Sequence, residues 1–97
     1  MYKLSNLAAE DFGNIYVYTL QNFGVTQADN YTLGMESCLS TLISFPLMGR
    51  DCPEITDGIR RFDHQHHAIF YRVRPQDIFI IRILHHQMDP LIHMTDF

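Results

Sequence analysis

The sequence predicts an α+β fold in which a helical hairpin packs on one face of a mostly antiparallel, four-stranded sheet, in the order β-α-α-β-β-β. Three observations predict it. Apolar residues recur at helical spacing through the first half of the chain, a very short connection divides that half into two helices, and strand-like segments follow residue 58. We expect one domain over residues 1–97, a length that folds without disulfides.

Residues 2–5 alternate in polarity and predict a short first strand. Ser5 or Asn6 then caps a first helix that ends at Gly24. The apolar stripe of this helix contains Ala8, Phe12, Ile15, Tyr16, Leu20 and Phe23.

A second helix is predicted from Thr26, with Asp29 at the capping-box position, to the residue before Pro46. Its apolar stripe contains Ala28, Tyr31, Met35, Cys38, Leu39, Leu42 and Phe45. Because only about two residues separate the helices, we expect an antiparallel hairpin.

Residues 46–58 are rich in Pro, Gly and Asp and predict a loop, and strands follow at 59–64, 67–74 and 77–84. The last strand is apolar on both faces apart from Arg82, as expected of a central, doubly covered strand. A two- or four-residue hairpin loop would place Arg72 and Arg82 on opposite faces, whereas a three-residue loop around Pro75 would place them on one face.

The charge distribution favours a protein partner. Seven Lys and Arg against eleven Asp and Glu give a net charge of −4, so the phosphate neutralisation that drives nucleic-acid binding is weak, although local basic clusters keep nucleic acid open. Only Lys3 precedes the six arginines, at positions 50, 60, 61, 72, 74 and 82. Cys38 and Cys52 are too few for a disulfide framework, and no segment has the pattern of a signal peptide or membrane span, so we expect a reduced, cytoplasmic protein.

Three groups of residues have alternative interpretations. His64, His66 and His67 have spacing compatible with metal binding, but no Cys or carboxylate completes a familiar ligand set, so we expect no metal. The apolar tail residues Met88, Leu91, Ile92 and Met94 either close the core or contact a partner, and their density favours a partner. Arg60 and Arg61 either bind a target or form surface ion pairs with Asp57 or Asp63.

The segments "GIRRF", "HAIFYRV" and "IRILHHQMD" resemble the ParE branch of the RelE/ParE toxins, as do "LSNLAAEDFGNIYVYTLQNFG" and "FPLMGR" upstream. The resemblance implies a cytoplasmic toxin that poisons DNA gyrase, without enzymatic activity or cofactor. It also implies a hetero-oligomer with a ParD-like antitoxin, contact with DNA only through the antitoxin or gyrase, and no membrane partner.

The alternatives are a RelE-type ribosome-dependent endoribonuclease and an inactive antitoxin-binding paralogue. A ribonuclease would use Arg60, Arg61, Arg72 and Arg82 to stabilise charge, with His85, His86 or Tyr71 for proton transfer. The acidic balance, the single lysine and the pair Met88-Asp89 favour the gyrase-directed branch.

The site prediction has two parts. The expected gyrase-binding residues are Arg60, Arg61, Arg72, Arg82, His85, Met88 and Asp89. The expected antitoxin interface comprises the exposed helix faces around Tyr16, Tyr18 and Tyr31 together with a sheet edge, because an uncovered edge and groove invite a segment that orders on binding.

Overall fold

A computed structural model describes residues 1–94 and confirms the predicted fold class. The elements are β1 (Tyr2–Leu4), α1 (Asn6–Phe23), α2 (Val25–Ser44), β2 (Arg50–Asp51), β3 (Ile59–His64), β4 (His67–Val73), β5 (Ile78–His85) and α3 (Pro90–His93). The sheet order is β1-β5-β4-β3-β2, with β1 parallel to β5 and the other pairs antiparallel.

The sheet has five strands rather than the predicted four. The additional strand, β2, lies inside the segment predicted as a loop, where Arg50 pairs with Arg61 and Asp51 with Arg60. A two-residue strand leaves no alternation in the sequence, so only its pairing with β3 identifies it.

Ser5 caps α1 and also joins it to the sheet. Its Oγ accepts a hydrogen bond from the Ala8 N–H at 3.0 Å and donates to the Ile81 carbonyl at 2.6 Å. The Ser5 N–H donates to the Ile80 carbonyl at 2.8 Å, so the start of α1 is held at the outer edge of β5, beyond the end of β1.

The junction between the helices is tighter than predicted. Gly24 alone joins α1 to α2, with φ at 90°, a conformation that glycine adopts at little cost. The second helix begins at Val25 rather than Thr26, and the predicted capping box at Asp29 is wrong, because α2 has no side-chain cap. The Asp29 carboxylate instead accepts the Tyr16 hydroxyl at 2.9 Å and braces the hairpin.

Apolar clusters cover both faces of the sheet, and β5 contributes to each, as predicted for a central strand. The helix-covered face packs α2 residues such as Met35 and Leu39 against Ile69 and Ile80. The opposite face buries Cys52, Ile59, Ala68, Phe70, Ile81, Leu84 and Met94.

Both helical stripes are less buried at their ends than predicted. Leu20, Phe23 and Phe45 are 39%, 67% and 63% exposed. The buried residues of α1 are Ala8 and Thr19, and those of α2 end at Leu42. The ends of the two stripes therefore form surface rather than core.

A β-bulge in β5 decides the orientation of Arg72 and Arg82, which the sequence left open. Residues 74–77 form a four-residue loop, which alone would place Arg72 and Arg82 on opposite faces. However, Tyr71 pairs with Ile80 while Phe70 pairs with Arg82, which leaves Ile81 as an extra residue. The extra residue shifts the alternation of side chains along β5 by one position, so Arg82 lies on the same face of the sheet as Phe70 and Arg72.

Candidate functional site

A groove of about 790 Å³ lies between the helical hairpin and one end of the sheet. Its walls come from α1, the first turns of α2, the β3–β4 turn and the end of β5. Apolar side chains line it together with histidines and tyrosines, including Ile15, Tyr18, Phe23, Tyr31, His66, His67, His85 and Met88.

The strand register brings five of the six histidines to this end of the sheet. His64 pairs with His67 across the β3–β4 turn, and His67 pairs with His85 on β5. The ring centroids of His67 and His85 are 5.5 Å apart, those of His85 and His86 4.4 Å, and those of His66 and His86 6.0 Å. In the sequence, His64, His66 and His67 stand apart from His85 and His86, and the register of the hairpins joins the two groups.

The histidines at the centre of this cluster are uncharged at neutral pH. The pKa of His67 is lowered to about 4, mainly by burial and in addition by His85 and the other nearby imidazoles. Burial also lowers the pKa values of His64 and His85. Tyr31 packs edge-on to His67, and its hydroxyl lies 2.5 Å from the ring Nδ1. In the part of the chain that the structure describes, no group of three or more His, Cys, Asp or Glu is arranged to hold a metal ion.

Arg82 joins three elements at the edge of the groove. Its Nε and Nη2 donate to the two Asp11 carboxylate oxygens at 2.8 and 2.9 Å, and its Nη1 donates to the His93 carbonyl at 2.8 Å. The Asp11 carboxylate also accepts the Ile83 N–H at 3.0 Å. This N–H lies on the edge of β5 beyond the residues that pair with β1, so Asp11 supplies the acceptor that a neighbouring strand would otherwise supply. The guanidinium is therefore committed to internal contacts that fix α3 on the sheet.

Arg60 stabilises the loop after α2. It donates to the carbonyls of Gly49 and Leu47 at 2.9 and 3.1 Å and to the Asp51 carboxylate at 2.8 Å. Neither of the two carboxylates predicted for the Arg60–Arg61 pair is its partner.

Arg61 and Arg72 also have partners within the protein. Arg61 donates to the Asp63 carboxylate at 2.7 Å, one of the two ion pairs predicted, and lies 5.5 Å from the Phe70 ring centroid. Arg72 donates to the Asp57 carbonyl at 3.2 Å. By the strand register, Arg61, Arg72 and Arg82 lie on one face of the sheet, whereas Arg60, opposite Tyr71, lies on the other. All four guanidiniums already have hydrogen-bond acceptors within the protein.

The C-terminal segment, residues 85–94, contains both a core residue and exposed apolar residues. Met94 is buried at 5% exposure and closes the second cluster, whereas Leu91 and Ile92 are 55% and 68% exposed. Asp89 caps α3 by accepting the Leu91 N–H at 2.9 Å. Its neighbour Met88 is 36% exposed and borders the groove.

The aromatic residues predicted for partner binding occupy different environments. Tyr18 is 63% exposed, while Tyr31 is 9% exposed, so the expectation that Tyr31 lies on an exposed helix face is wrong. Tyr31 is buried because it packs into the helix-covered cluster, yet it still borders the groove. Tyr71, the candidate proton-transfer residue, is fully buried, donates to the Pro46 carbonyl at 2.8 Å and accepts the Gly49 N–H at 2.9 Å.

Comparison with known proteins identifies the family. The family model described as "ParE toxin of type II toxin-antitoxin system, parDE" matches residues 2–90. Toxin ParE1 of Caulobacter vibrioides is 33% identical over 93 residues, 96% of each chain. Toxin ParE1 of Mycobacterium tuberculosis H37Rv is 34% identical over 89 residues, 91% of each chain.

A solved structure shares the fold. A chain of the chromosomal ParDE system from P. aeruginosa matches with a TM-score of 0.74 at 23% identity, over 87% of this chain and 92% of that one. Fold and sequence together define a toxin of a type II toxin–antitoxin system. Within that class, the chain belongs to the ParE family. No helix within residues 1–94 is long and apolar enough to span a membrane.

Proposed function

We propose that this ParE toxin acts in the cytoplasm by poisoning DNA gyrase, which blocks replication, and that a ParD-like antitoxin neutralises it in a toxin–antitoxin hetero-oligomer. Family membership and the resemblance of the C-terminal "IRILHHQMD" support the target. The observation that carries the proposal is the exposure of apolar side chains on a fixed helix, α3, since such a surface is suited to contact with a macromolecule.

The C-terminal segment forms the centre of the proposed gyrase contact. Leu91 and Ile92 supply apolar area, while Asp89 and Arg82 set the position of α3 through its N-terminal cap and the His93 carbonyl. His85 and Met88 extend this surface towards the groove. Of the other predicted residues, Arg61 and Arg72 point to the sheet face on which Met94 packs, and Arg60 acts indirectly by holding its loop.

The arginine contacts support binding rather than ribonuclease chemistry. A ribonuclease needs cationic groups that are free to stabilise charge developing on a phosphate. Arg60, Arg61 and Arg82 each form an ion pair within the protein. Tyr71 is buried with both hydrogen-bonding roles of its hydroxyl used. We therefore propose that the toxin acts without catalysis.

The groove is the proposed antitoxin site. Tyr18 and Phe23 form an exposed apolar margin at 63% and 67% exposure, and Tyr31 lies deeper in the same groove. Tyr16 supports the site through its bond to Asp29. An antitoxin segment that orders on binding would cover this margin and the adjoining β5 edge.

The decisive experiment is a supercoiling and DNA-cleavage assay with purified gyrase, with and without ATP. We expect inhibition of supercoiling and accumulation of cleavage complexes. The double variant Leu91→Glu and Ile92→Glu should lose both effects, because charge on the apolar face of α3 opposes its burial against gyrase. Leu33→Glu, at a position on α2 that is 63% exposed, is the matched control and should retain them.

The alternatives predict different outcomes when the chain is expressed alone in a sensitive host. Gyrase poisoning gives filamentation and DNA-damage signalling, mRNA cleavage gives rapid loss of translation, and an inactive paralogue leaves growth unchanged. An intact gyrase reaction at micromolar toxin, together with either of the last two results, would refute the proposal.

A further inference from the structure

The hydrogen bonds of two groove histidines determine which ring nitrogen carries the proton. The Gln87 backbone N–H points at Nδ1 of His85 at 3.2 Å, so this nitrogen accepts a hydrogen bond and a neutral ring carries its proton on Nε2. Nδ1 of His67 lies 2.5 Å from the Tyr31 hydroxyl. We assign the phenol as the donor of this hydrogen bond, because its proton has no other acceptor among residues 1–94. His67 then also carries its proton on Nε2.

The two Nε2–H groups are donors without protein partners. In the described part of the chain neither nitrogen has a hydrogen-bond partner, and His67 and His85 both line the groove. The two residues are cross-strand neighbours with ring centroids 5.5 Å apart, and both border the same groove. Donors held this way favour acceptor oxygens.

The rest of the lining favours an uncharged acceptor. Asp11 is the only Asp, Glu, Lys or Arg among the described lining residues, and Arg82 neutralises it with two hydrogen bonds. The remaining polar lining consists of amides such as Gln27 and Gln87 together with hydroxyl and imidazole groups, beside apolar Ile15 and Phe23. A carboxylate in this groove would lose hydration without gaining a free cation, whereas a peptide carbonyl loses far less.

We propose that His67 and His85 bind main-chain carbonyl groups of the antitoxin segment that occupies the groove, and that Tyr31 acts as a positioning residue by holding the tautomer of His67. The inference rests on the proposed antitoxin site and adds its chemistry: the segment presents apolar side chains and free carbonyl oxygens, as an extended strand or a helix C-terminus does. The burial that keeps both imidazoles neutral preserves the required tautomers.

The tautomers are tested without any partner. Long-range ¹H–¹⁵N spectra of the free toxin at pH 7.5 should show His67 and His85 protonated on Nε2. Tyr31→Phe should convert His67 to a mixture of tautomers while His85 keeps its own. A dominant Nδ1–H form at either residue in the wild-type protein would overturn the inference, whatever the antitoxin does.

The binding test uses the antitoxin encoded beside the toxin gene, titrated calorimetrically onto full-length toxin. His85→Leu, which removes the donor but keeps an apolar side chain of similar bulk, should weaken binding about tenfold, the cost of one buried hydrogen bond. His85→Gln retains a donor near the Nε2 position and should restore most of the affinity. His93→Leu is the control, because His93 is exposed on α3 and outside the groove lining.

The outcomes separate this inference from the proposed function. A wild-type toxin that does not bind the antitoxin refutes both. Normal wild-type binding with equal affinities for His85→Leu and His93→Leu refutes the inference alone. Repeating the titration in buffers of different ionisation enthalpy should show negligible proton uptake, whereas uptake close to one proton would indicate a carboxylate ligand and refute the carbonyl assignment.

Discussion

The buried hydroxyl of Tyr71 helps to hold the loop that connects the helices to the sheet. Replacing Tyr71 with Phe leaves the Gly49 N–H and the Pro46 carbonyl without their partner in a buried site. We expect the free energy of unfolding to fall by about 1–3 kcal/mol, measured by urea denaturation. Tyr18→Phe is the control, since that side chain is 63% exposed, and it should change stability by less than about 0.5 kcal/mol. Equal stabilities would contradict the role assigned to the Tyr71 hydroxyl.

The central histidine gives the protein a pH-dependent stability whose sign follows from its pKa. The pKa of His67 is lowered from the ordinary value of about 6.5 to about 4, so the native state binds fewer protons than the unfolded state between these values. Stability is therefore complete above pH 6.5 and is lost as the pH falls towards 4. Because the ring is partly solvated, we expect a loss of about 1–2 kcal/mol between pH 7.5 and 5, less than the full shift implies.

Urea denaturation at the two pH values tests this, with His67→Gln as the variant that cannot titrate. The variant should show a shallower pH dependence, although the neighbouring His64 and His85, whose pKa values are also lowered, retain part of it. His93→Gln, at an exposed position on α3, should behave like wild type. A His67→Gln slope as steep as that of wild type would contradict the assignment.

At the scale of elements, the sequence predicted well those helices whose ends are set by nearby residues. The Ser5 cap, the helical periods and Gly24 predicted the hairpin to within a residue or two. The Asp89-Pro90 pair is an N-cap signal that could have predicted α3. The bulge at Ile81 had no such signal, because the strand is apolar on both faces and its alternation is hidden.

Features that depend on distant contacts were predicted less well. The histidine cluster forms only when β3, β4 and β5 are in register, and the arginines predicted for one target site each find a nearer acceptor within the protein. Sequence alone shows that a guanidinium is present, but not whether a carboxylate or carbonyl group from another element already accepts its hydrogen bonds.

The Asp11–Arg82 pair fixes the third helix to the rest of the fold. Both side chains are largely buried, at 15% exposure for Arg82 and 13% for Asp11. Asp11→Asn keeps an acceptor for the Ile83 N–H but leaves the guanidinium without a counter-charge, so we expect a loss of about 1–3 kcal/mol in the free energy of unfolding. Amide hydrogen exchange of residues 92–94 should also accelerate, because their helix loses its anchor.

Glu54→Gln is the control for this change. It removes the exposed Arg50–Glu54 pair, in which the side chains are 61% and 54% exposed, and should cost less than about 0.5 kcal/mol without altering exchange in α3. If Asp11→Asn left exchange near the C-terminus unchanged, the link between α1 and α3 would be absent, and the gyrase assay would be expected to show no defect in this variant.

At the scale of the whole molecule, the two proposed interfaces meet at His85 and Met88. Both residues border the groove and also belong to the C-terminal segment that we assign to gyrase. An antitoxin seated in the groove therefore covers one end of the proposed target surface and restrains α3 through Asp11 and Arg82. Neutralisation then requires no change of fold.

Binding of this kind must raise the stability of the toxin by mass action. An antitoxin at a hundred times its Kd adds about 2.7 kcal/mol to the free energy of unfolding, which for a domain of this size corresponds to a rise of about 10–20 °C in Tm. Differential scanning fluorimetry of the toxin with increasing antitoxin measures this rise in Tm.

Phe23→Glu should leave the Tm of the free toxin nearly unchanged, since the side chain is 67% exposed. The variant should reduce the rise in Tm that the antitoxin causes, because binding would bury a charge at the groove margin. A full shift in that variant would place the antitoxin elsewhere, and the exposed segment around Phe45 and Leu47 would become the next surface to test.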